Sequence, residues 1–395
     1  MQEFDVAIVG GGPIGGFIAG DLARKKYRVA IFEKHKEIGT PINCAGLVTP
    51  RVFDFLDISK ETIIQNKVKG ANIHSPSGKL LKIGGDKVHA FVIDRSKFDR
   101  EIVNSAQKKG AQIFLNSNVL SAQKIGSYIE LRTSQEQDIK CKILIGADGP
   151  YSKVRDRFAL PEPKEFLRGI GAEITNVKLD PDFVEIFIGK NLAPGFFAWI
   201  IPTNDKGTCA RTGLCIKQNA PNSPKHYFSE FLKYKHASEF LRNAKIKNYI
   251  GGIIPLGVLK KTYSSNVFIV GDAAAQVKPT SGGGVYTGLL CAKHCSLVAM
   301  DALEKNNFTA SFFKKYHKLC NTDIGRELFL GMKFRKIFKN LSNKQMDKYI
   351  EKFNNPKIIE IISKYGDIDY PSRLVKPLLK KTPTLLKLIP SIIKE

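Results

Sequence analysis

Residues 4–35 read "FDVAIVGGGPIGGFIAGDLARKKYRVAIFEKH", and the fold turns on how this stretch is read. The apolar run Phe4–Val9 predicts a buried parallel strand. Gly10, Gly12 and Gly15 follow as G-x-G-x-x-G, then an Ala- and Leu-rich helix, then a second strand, "YRVAIFE", that ends in Glu33. Glycines in that pattern permit a tight turn, close approach of backbone to a pyrophosphate, and packing of helix on strand. The helix N-terminus offers N–H groups and the positive end of its dipole to the phosphates. A carboxylate at Glu33 is placed to hold the hydroxyls of an adenosine ribose. Strand, helix, strand and terminal acid together predict a dinucleotide site.

Two later stretches narrow the dinucleotide to FAD. "ILIGADGPYSKVR" (143–155) carries a strand into Asp148-Gly149 and a helix start. "NVFIVGDAAAQVKPTSGGGVYTGLLCAKH" (266–294) carries a strand into Gly271-Asp272, then a glycine-rich loop into a long helix. Asp272 at a strand end resembles the residue that holds the flavin's ribityl chain in glutathione-reductase-like flavoproteins. Gly282, Gly283 and Gly284 put bare N–H groups at a helix N-terminus, suited to the negative charge of a reduced flavin's pyrimidine end. Only one G-x-G-x-x-G occurs. The electron donor is therefore expected either to bind transiently or to be a partner: ferredoxin, a deazaflavin coenzyme or NAD(P)H.

Composition sets the outer limits. The 395 residues include 62 Lys and Arg against 37 Asp and Glu, a formal charge of +25. Such a surface is either lysine-biased and solvated or meets a negative partner: an anionic membrane, a phosphorylated substrate, or an acidic electron-transfer protein. Nucleic acid is not expected, because the lysines are dispersed and no recognition motif occurs. No apolar run is long enough to span a bilayer, and the opening residues run straight into a strand, which predicts no signal peptide. Seven cysteines without a CxxC pair predict free thiols in a reducing cytoplasm.

The cofactor segments are expected to form one discontinuous FAD-binding domain from 1–70, 90–160 and 262–305. Residues 71–89 and 161–261 read as a substrate domain. In it "GIGAEITNV", "FVEIFIG", "GFFAWIIP" and "GTCARTGLC" predict an antiparallel meander. Residues 306–395 read as helices. The expected class is mixed α/β (α+β): a Rossmann-like FAD domain, an antiparallel-sheet substrate domain and a helical C-terminal region.

With these residues in view, the chain resembles the geranylgeranyl reductase family of flavoproteins, a branch of the p-hydroxybenzoate-hydroxylase type of fold, and in particular the archaeal digeranylgeranylglycerophospholipid reductases. The likeness rests on the opening fingerprint, "PINCAG" (41–46), "DRSKFD" (94–99), "GADGPYSKVR" (146–155), "PGFFAWIIP" (194–202), "GGIIPLG" (251–257), "GDAAAQVKPTSGGGVYTGL" (271–289) and "DIDYPSRLVK" (367–376). It implies an oxidoreductase that saturates prenyl-chain double bonds in membrane ether-lipid (phospholipid) biosynthesis. The substrate it implies is a prenylated lipid or a prenyl diphosphate. It also implies FAD contacts at Ile14 and Glu33, with Cys44, Ala45 and Leu47 along the flavin. Arg95 and Val119 would lie near the pyrophosphate and adenine, and Asp272, Gly284 and Val285 at the ribityl and isoalloxazine end. Arg95 has a second reading, as the partner of Asp94 or Asp99 at a helix start. The run Cys44-Ala45-Gly46-Leu47 lacks the acidic residue that many archaeal members carry two places after the cysteine.

Cys44 is the one residue of "PINCAG" with a transferable proton. It reads as a flavin contact, as a proton donor, or as packing. Its sequence neighbours Asn43 and Ala45 offer no positive charge to hold a thiolate. Tyr286 is a reserve donor. Cys291 and Cys295, with His294 between them, have no further metal ligands in sequence and read as a packed helix face. Phe196, Phe197 and Trp199 read as tunnel lining or core. The tail from Tyr370 pairs lysines with leucines and isoleucines between prolines, and suits either a membrane interface or the body of the protein. Two other functions stay open at this level: an aromatic hydroxylase of the same fold, and a lipid-binding electron carrier.

Overall fold

The computed structural model describes residues 1–381. The strand Gln2–Val9 lies at the heart of an eight-stranded sheet, parallel to Val29–Phe32 on one side and Asp138–Gly146 on the other. Val6, Ala7 and Ile8 are fully buried, as a strand covered on both faces requires. The helix Pro13–Arg24 begins with Pro13 just after Gly12, where a missing N–H costs nothing. Its glycines admit the helix Arg95–Lys108: a Cβ at Gly16 would stand 2.9 Å from the Val103 side chain. The long helix Val285–Glu304 packs on the same face, with Cys291, Cys295 and Ala299 in its core.

A seven-stranded sheet forms the second layer. Its order is Lys245–Leu256, Glu165–Thr175, Cys209–Lys217, Phe197–Pro202, Phe183–Ile188, Gly70–His74 and Leu80–Gly84. All neighbours are antiparallel except Phe183–Ile188 beside Gly70–His74. The simple meander expected from the sequence is corrected here. Three strands, 183–188, 197–202 and 209–217, do follow in order. Glu165–Thr175 instead sits between Cys209–Lys217 and Lys245–Leu256. The chain that leaves it binds the loop before Cys209, through Val177 N–H to Thr208 O and Leu179 N–H to Gly207 O, and this carries it past the sheet to the far side. Helices Pro224–Leu232 and Ser238–Leu241 cover one face over Phe187, Ile200 and Leu214.

From 306 to 381 the chain is helical, as expected: Ala310–Cys320, Arg326–Asn340, Asn343–Phe353, Pro356–Tyr365 and Ser372–Lys381. It is bound to the sheets. Arg335 is buried and donates to Glu165 (Nη2 to Oε1, 2.8 Å) and to the Gly195 carbonyl (2.8 Å). Among the described residues, no helix is long and apolar enough to cross a membrane. The part of the expected interfacial tail from 382 to 395 lies outside the described residues.

Candidate active site

The first glycine turn divides its labour. Gly10 has φ +108°, and a Cβ there would collide with the Ala147 carbonyl; one at Gly15 would collide with the Gly10 carbonyl. Both glycines serve packing. A Cβ at Gly12 meets nothing within 4 Å, so this face of the turn is an open cradle of the kind a pyrophosphate fills. Glu33 Oε2 accepts the Gly11 N–H (2.8 Å), and its Oε1 accepts the His35 N–H (2.9 Å) and meets His35 Nδ1 at 2.6 Å. The Ser117 N–H donates to the Glu33 carbonyl, which brings the start of the strand at Val119 to this end. Val119 is itself a buried wall residue, its carbonyl taken by Arg157. The Ile14 side chain packs against Gly271 and Gly288 and so joins the first turn to the second.

Two carboxyls in this region lack full partners. Asp148 Oδ2 accepts the N–H groups of Lys153 (2.7 Å) and Val154 (3.1 Å), while its Oδ1 is buried without a partner. Burial pushes this acid up. Asp272 Oδ1 lies 3.0 Å from where a Gly284 Cβ would stand. Burial pushes Asp272 up to about 6, against a smaller opposing pull from Arg95. A buried carboxyl oxygen without a donor, as at Asp148 Oδ1, is unfavourable unless a ligand provides one. The open cradle at Gly12 and these two acceptors match the pyrophosphate and hydroxyl-bearing chain of FAD.

The "PINCAG" segment is clamped from several directions. The Asn43 amide donates to the Gly251 carbonyl at 2.6 Å, in the orientation that satisfies both its ends. Arg211, 2% exposed, donates to the carbonyls of Ala45 (3.2 Å) and Ile93 (2.8 Å), and to Gln65 (2.8 Å) and Glu173 (3.2 Å). Gly46, at φ +75°, has no room for a Cβ beside that guanidinium. The sequence reading missed Arg211. Its one signal was a charge inside the strand pattern "TCARTGLC". Leu47 and Ala45 pack with Val92, Val184 and Trp199.

The surroundings of Cys44 require a correction. Its sequence neighbours carry no cation, yet the fold brings the Arg95 guanidinium within electrostatic reach of the sulphur. The Gly46 N–H also points to that sulphur, at 3.3 Å. Arg95 pairs with Asp99 through two hydrogen bonds, and Asp94 caps the helix by accepting the Lys97 N–H. The same guanidinium acts on Asp272, so Arg95 stands among Cys44, Asp99 and Asp272.

The second glycine turn meets the apolar sheet face and the C-terminal region. A Cβ at Gly282 would stand 2.9 Å from Ile254 and 3.4 Å from Phe196. Phe196 stacks on Phe197 (centroids 4.2 Å apart), and Trp199 lies beside them with its Nε1–H buried and unpartnered. Gly284 precedes the helix Val285–Glu304, and Val285 packs with the cluster around Val48 and Phe98. A Cβ at Gly283 would touch the Lys278 side chain, whose ammonium pairs with Asp369 at 2.6 Å. The segment "DIDYPSR" thus reaches the glycine turn, a neighbour the sequence did not suggest. The Tyr286 hydroxyl shares a 2.9 Å hydrogen bond with the Tyr370 hydroxyl. Burial and that bond push Tyr286 well above the usual tyrosine value, which weakens it as a proton donor. Cys291 and Cys295 are buried beside Tyr316 and Cys320, and His294 pairs with Asp323.

The family described as FAD binding domain matches residues 3–292. The chain is 35% identical to the uncharacterized protein MJ1520 of Methanocaldococcus jannaschii, over 96% of this chain and 95% of that one. It is 30% identical to the digeranylgeranylglycerophospholipid reductase of the same organism, over 97% of each chain. Among solved structures it is similar to a geranylgeranyl bacteriochlorophyll reductase-like protein of Thermoplasma acidophilum, with TM-score 0.86, 23% identity and full coverage of both chains. The matching family makes FAD the cofactor, and the chain belongs to the geranylgeranyl reductase family of FAD-binding flavoproteins.

Proposed function

We propose that this protein is an FAD-dependent reductase that saturates the C=C bonds of geranylgeranyl chains in archaeal-type ether-lipid biosynthesis. The observation that carries the reading is the contact between the glycine turn of the cofactor site and an apolar aromatic face: Gly282 against Phe196 and Ile254, with Phe197 and Trp199 beyond. An isoprenoid chain offers no polar handle, so its recognition rests on apolar surface of this kind.

Bound FAD, once reduced, supplies a hydride to one alkene carbon. The protein's own residues must hold the chain and deliver a proton to the other carbon. We assign that proton to Cys44 Sγ, the one group of "PINCAG" that carries a transferable proton. The Gly46 N–H reaches that sulphur at 3.3 Å and fixes its place in the segment. Asp148, Asp272 and the cradle at Gly12 bind the cofactor, and Arg211 holds the Cys44 segment in register. In this reading the segments 1–70, 90–160 and 262–305 carry the cofactor, and 71–89 with 161–261 carry the substrate. The finer choices are the lipid over the free prenyl diphosphate, an acidic protein or small coenzyme as electron donor, and docking on the inner face of an anionic membrane. The net charge of +25 supports the last.

Anaerobic incubation with chemically reduced enzyme and a geranylgeranylated lipid, with products weighed by mass spectrometry, tests the function. Gain of hydrogen pairs on the prenyl chain without oxygen is expected. A product that appears only with oxygen would make the protein a hydroxylase, and an unchanged lipid would make it a carrier.

A further inference from the structure

We propose that Lys278 is a cation that tunes reduction of the flavin, and that Asp369, from the C-terminal segment "DIDYPSR", is the positioning residue that holds it under the glycine turn. The Lys278 side chain is only 8% exposed, although lysines usually send their ammonium to water. Here it folds back: its Cε and Nζ lie 3.2 and 3.5 Å from where a Gly283 Cβ would stand. The Lys278 N–H donates to the Gly283 carbonyl, and the Gly282 N–H to the Lys278 carbonyl. Ammonium and turn are therefore one unit, next to Gly284 and Asp272.

Two distant segments meet on Asp369, whose side chain is fully buried. It accepts from Lys278 Nζ (2.6 Å), Thr49 Oγ1 (2.6 Å) and Arg51 Nη1 (3.2 Å). Lys278 Nζ also donates to the Ile368 carbonyl at 3.2 Å. Arg51 then grips Asp367 with both Nη atoms, at 2.8 and 2.9 Å, and Arg373 meets Asp367 at 3.1 Å. A buried ion pair adds little net stability over well-packed apolar residues of the same size. A latch meant only to hold the C-terminal segment would not need one. What the pair adds is an oriented dipole in a poorly screened place, its ammonium end fixed against the turn beside a helix N-terminus suited to the negative charge of a reduced flavin.

The inference needs FAD in its cradle but no particular substrate, so its test is independent of the proposed reaction. FAD-loaded Lys278→Met and Asp369→Asn are each equilibrated anaerobically with a reference dye, and the oxidised and reduced flavin are read by absorbance. Lys278→Met is expected to shift the equilibrium toward oxidised flavin about tenfold, roughly 30 mV for a two-electron couple. Asp369→Asn is expected to shift it the other way. A merely structural latch would move both variants in the same direction or neither, and either result overturns the proposal. Should Lys278→Met fail to hold FAD, Arg51→Gln serves in its place, because Arg51 is 42% exposed. It removes a positive neighbour of Asp369 and should shift the equilibrium as Lys278→Met does, by a smaller factor; no shift in that variant overturns the proposal equally.

Discussion

Arg95 grips Asp99 from one turn away on the same helix, Nε to Oδ1 at 3.1 Å and Nη2 to Oδ2 at 3.0 Å. Two parallel bonds fix the plane of the guanidinium as one bond could not. Burial drives the Asp99 acid up, while Arg95 opposes it. The pair is thus held largely inside the protein, within electrostatic reach of Cys44 and Asp272.

Cys44 is the first residue to change. Cys44→Ala should keep most of its FAD, show a shifted flavin spectrum, and lose about 100-fold in turnover if the thiol supplies the proton. Cys44→Ser should keep part of the activity. Spectra and rates unchanged in both variants would reduce the residue to packing.

Gly12→Val and Gly15→Val should separate cofactor binding from folding. The first places its side chain in open space, so the apo-protein should melt near the parent temperature yet purify without yellow colour. The second drives a side chain into the Gly10 carbonyl and should destabilise the fold by about 1–3 kcal/mol or more. A fully FAD-loaded Gly12→Val would misplace the pyrophosphate site.

Asp272 gives a pH signature. Its folded value of about 6 lies above the ordinary 3.8, so the apo-protein is fully stabilised at this site below about 3.8 and loses that stability as pH rises through about 6. The loss is on the order of 3 kcal/mol by linkage. Asp272→Asn should therefore melt higher than the parent as apo-protein at neutral pH, with the gap closing in acid, and should bind FAD more weakly. Melting curves and FAD titration across pH check both signs.

Arg211 is held by four partners on four segments. Arg211→Met leaves Glu173 and two carbonyls without their buried donor, and should cost about 3–5 kcal/mol, read as a lower denaturation midpoint. A loss under 1 kcal/mol would mean that the Cys44 segment is held by Asn43 and its apolar contacts instead.

Membrane docking is tested by liposome co-sedimentation. Tyr370 and Ser372 are tied into the body through Tyr286 and Glu327, so the informative truncation removes residues 382–395 alone. Binding to anionic vesicles, weakening with salt and falling on truncation while FAD is retained, is expected. Equal binding to neutral vesicles, or none to either kind, would remove the membrane from the account.

Much of the local geometry proposed to hold the cofactor was legible in the order of the residues. Gly10, Gly12 and Gly15 between two apolar runs, Glu33 at the second strand's end, and Asp272 before the second glycine turn are constraints on consecutive backbone. Tight turns and helix starts are short-range geometry, and sequence spacing encodes them directly. The helical character of 306–381 was legible for the same reason. The cation beside Cys44, the Arg211 clamp, the docking of Asp369 on Lys278 and the displaced strand Glu165–Thr175 were not. Each joins residues dozens to hundreds of positions apart. Such partners are chosen by which buried charges and edges meet when two sheets and a helical region close on one another, and periodicity along a single chain carries no record of that choice.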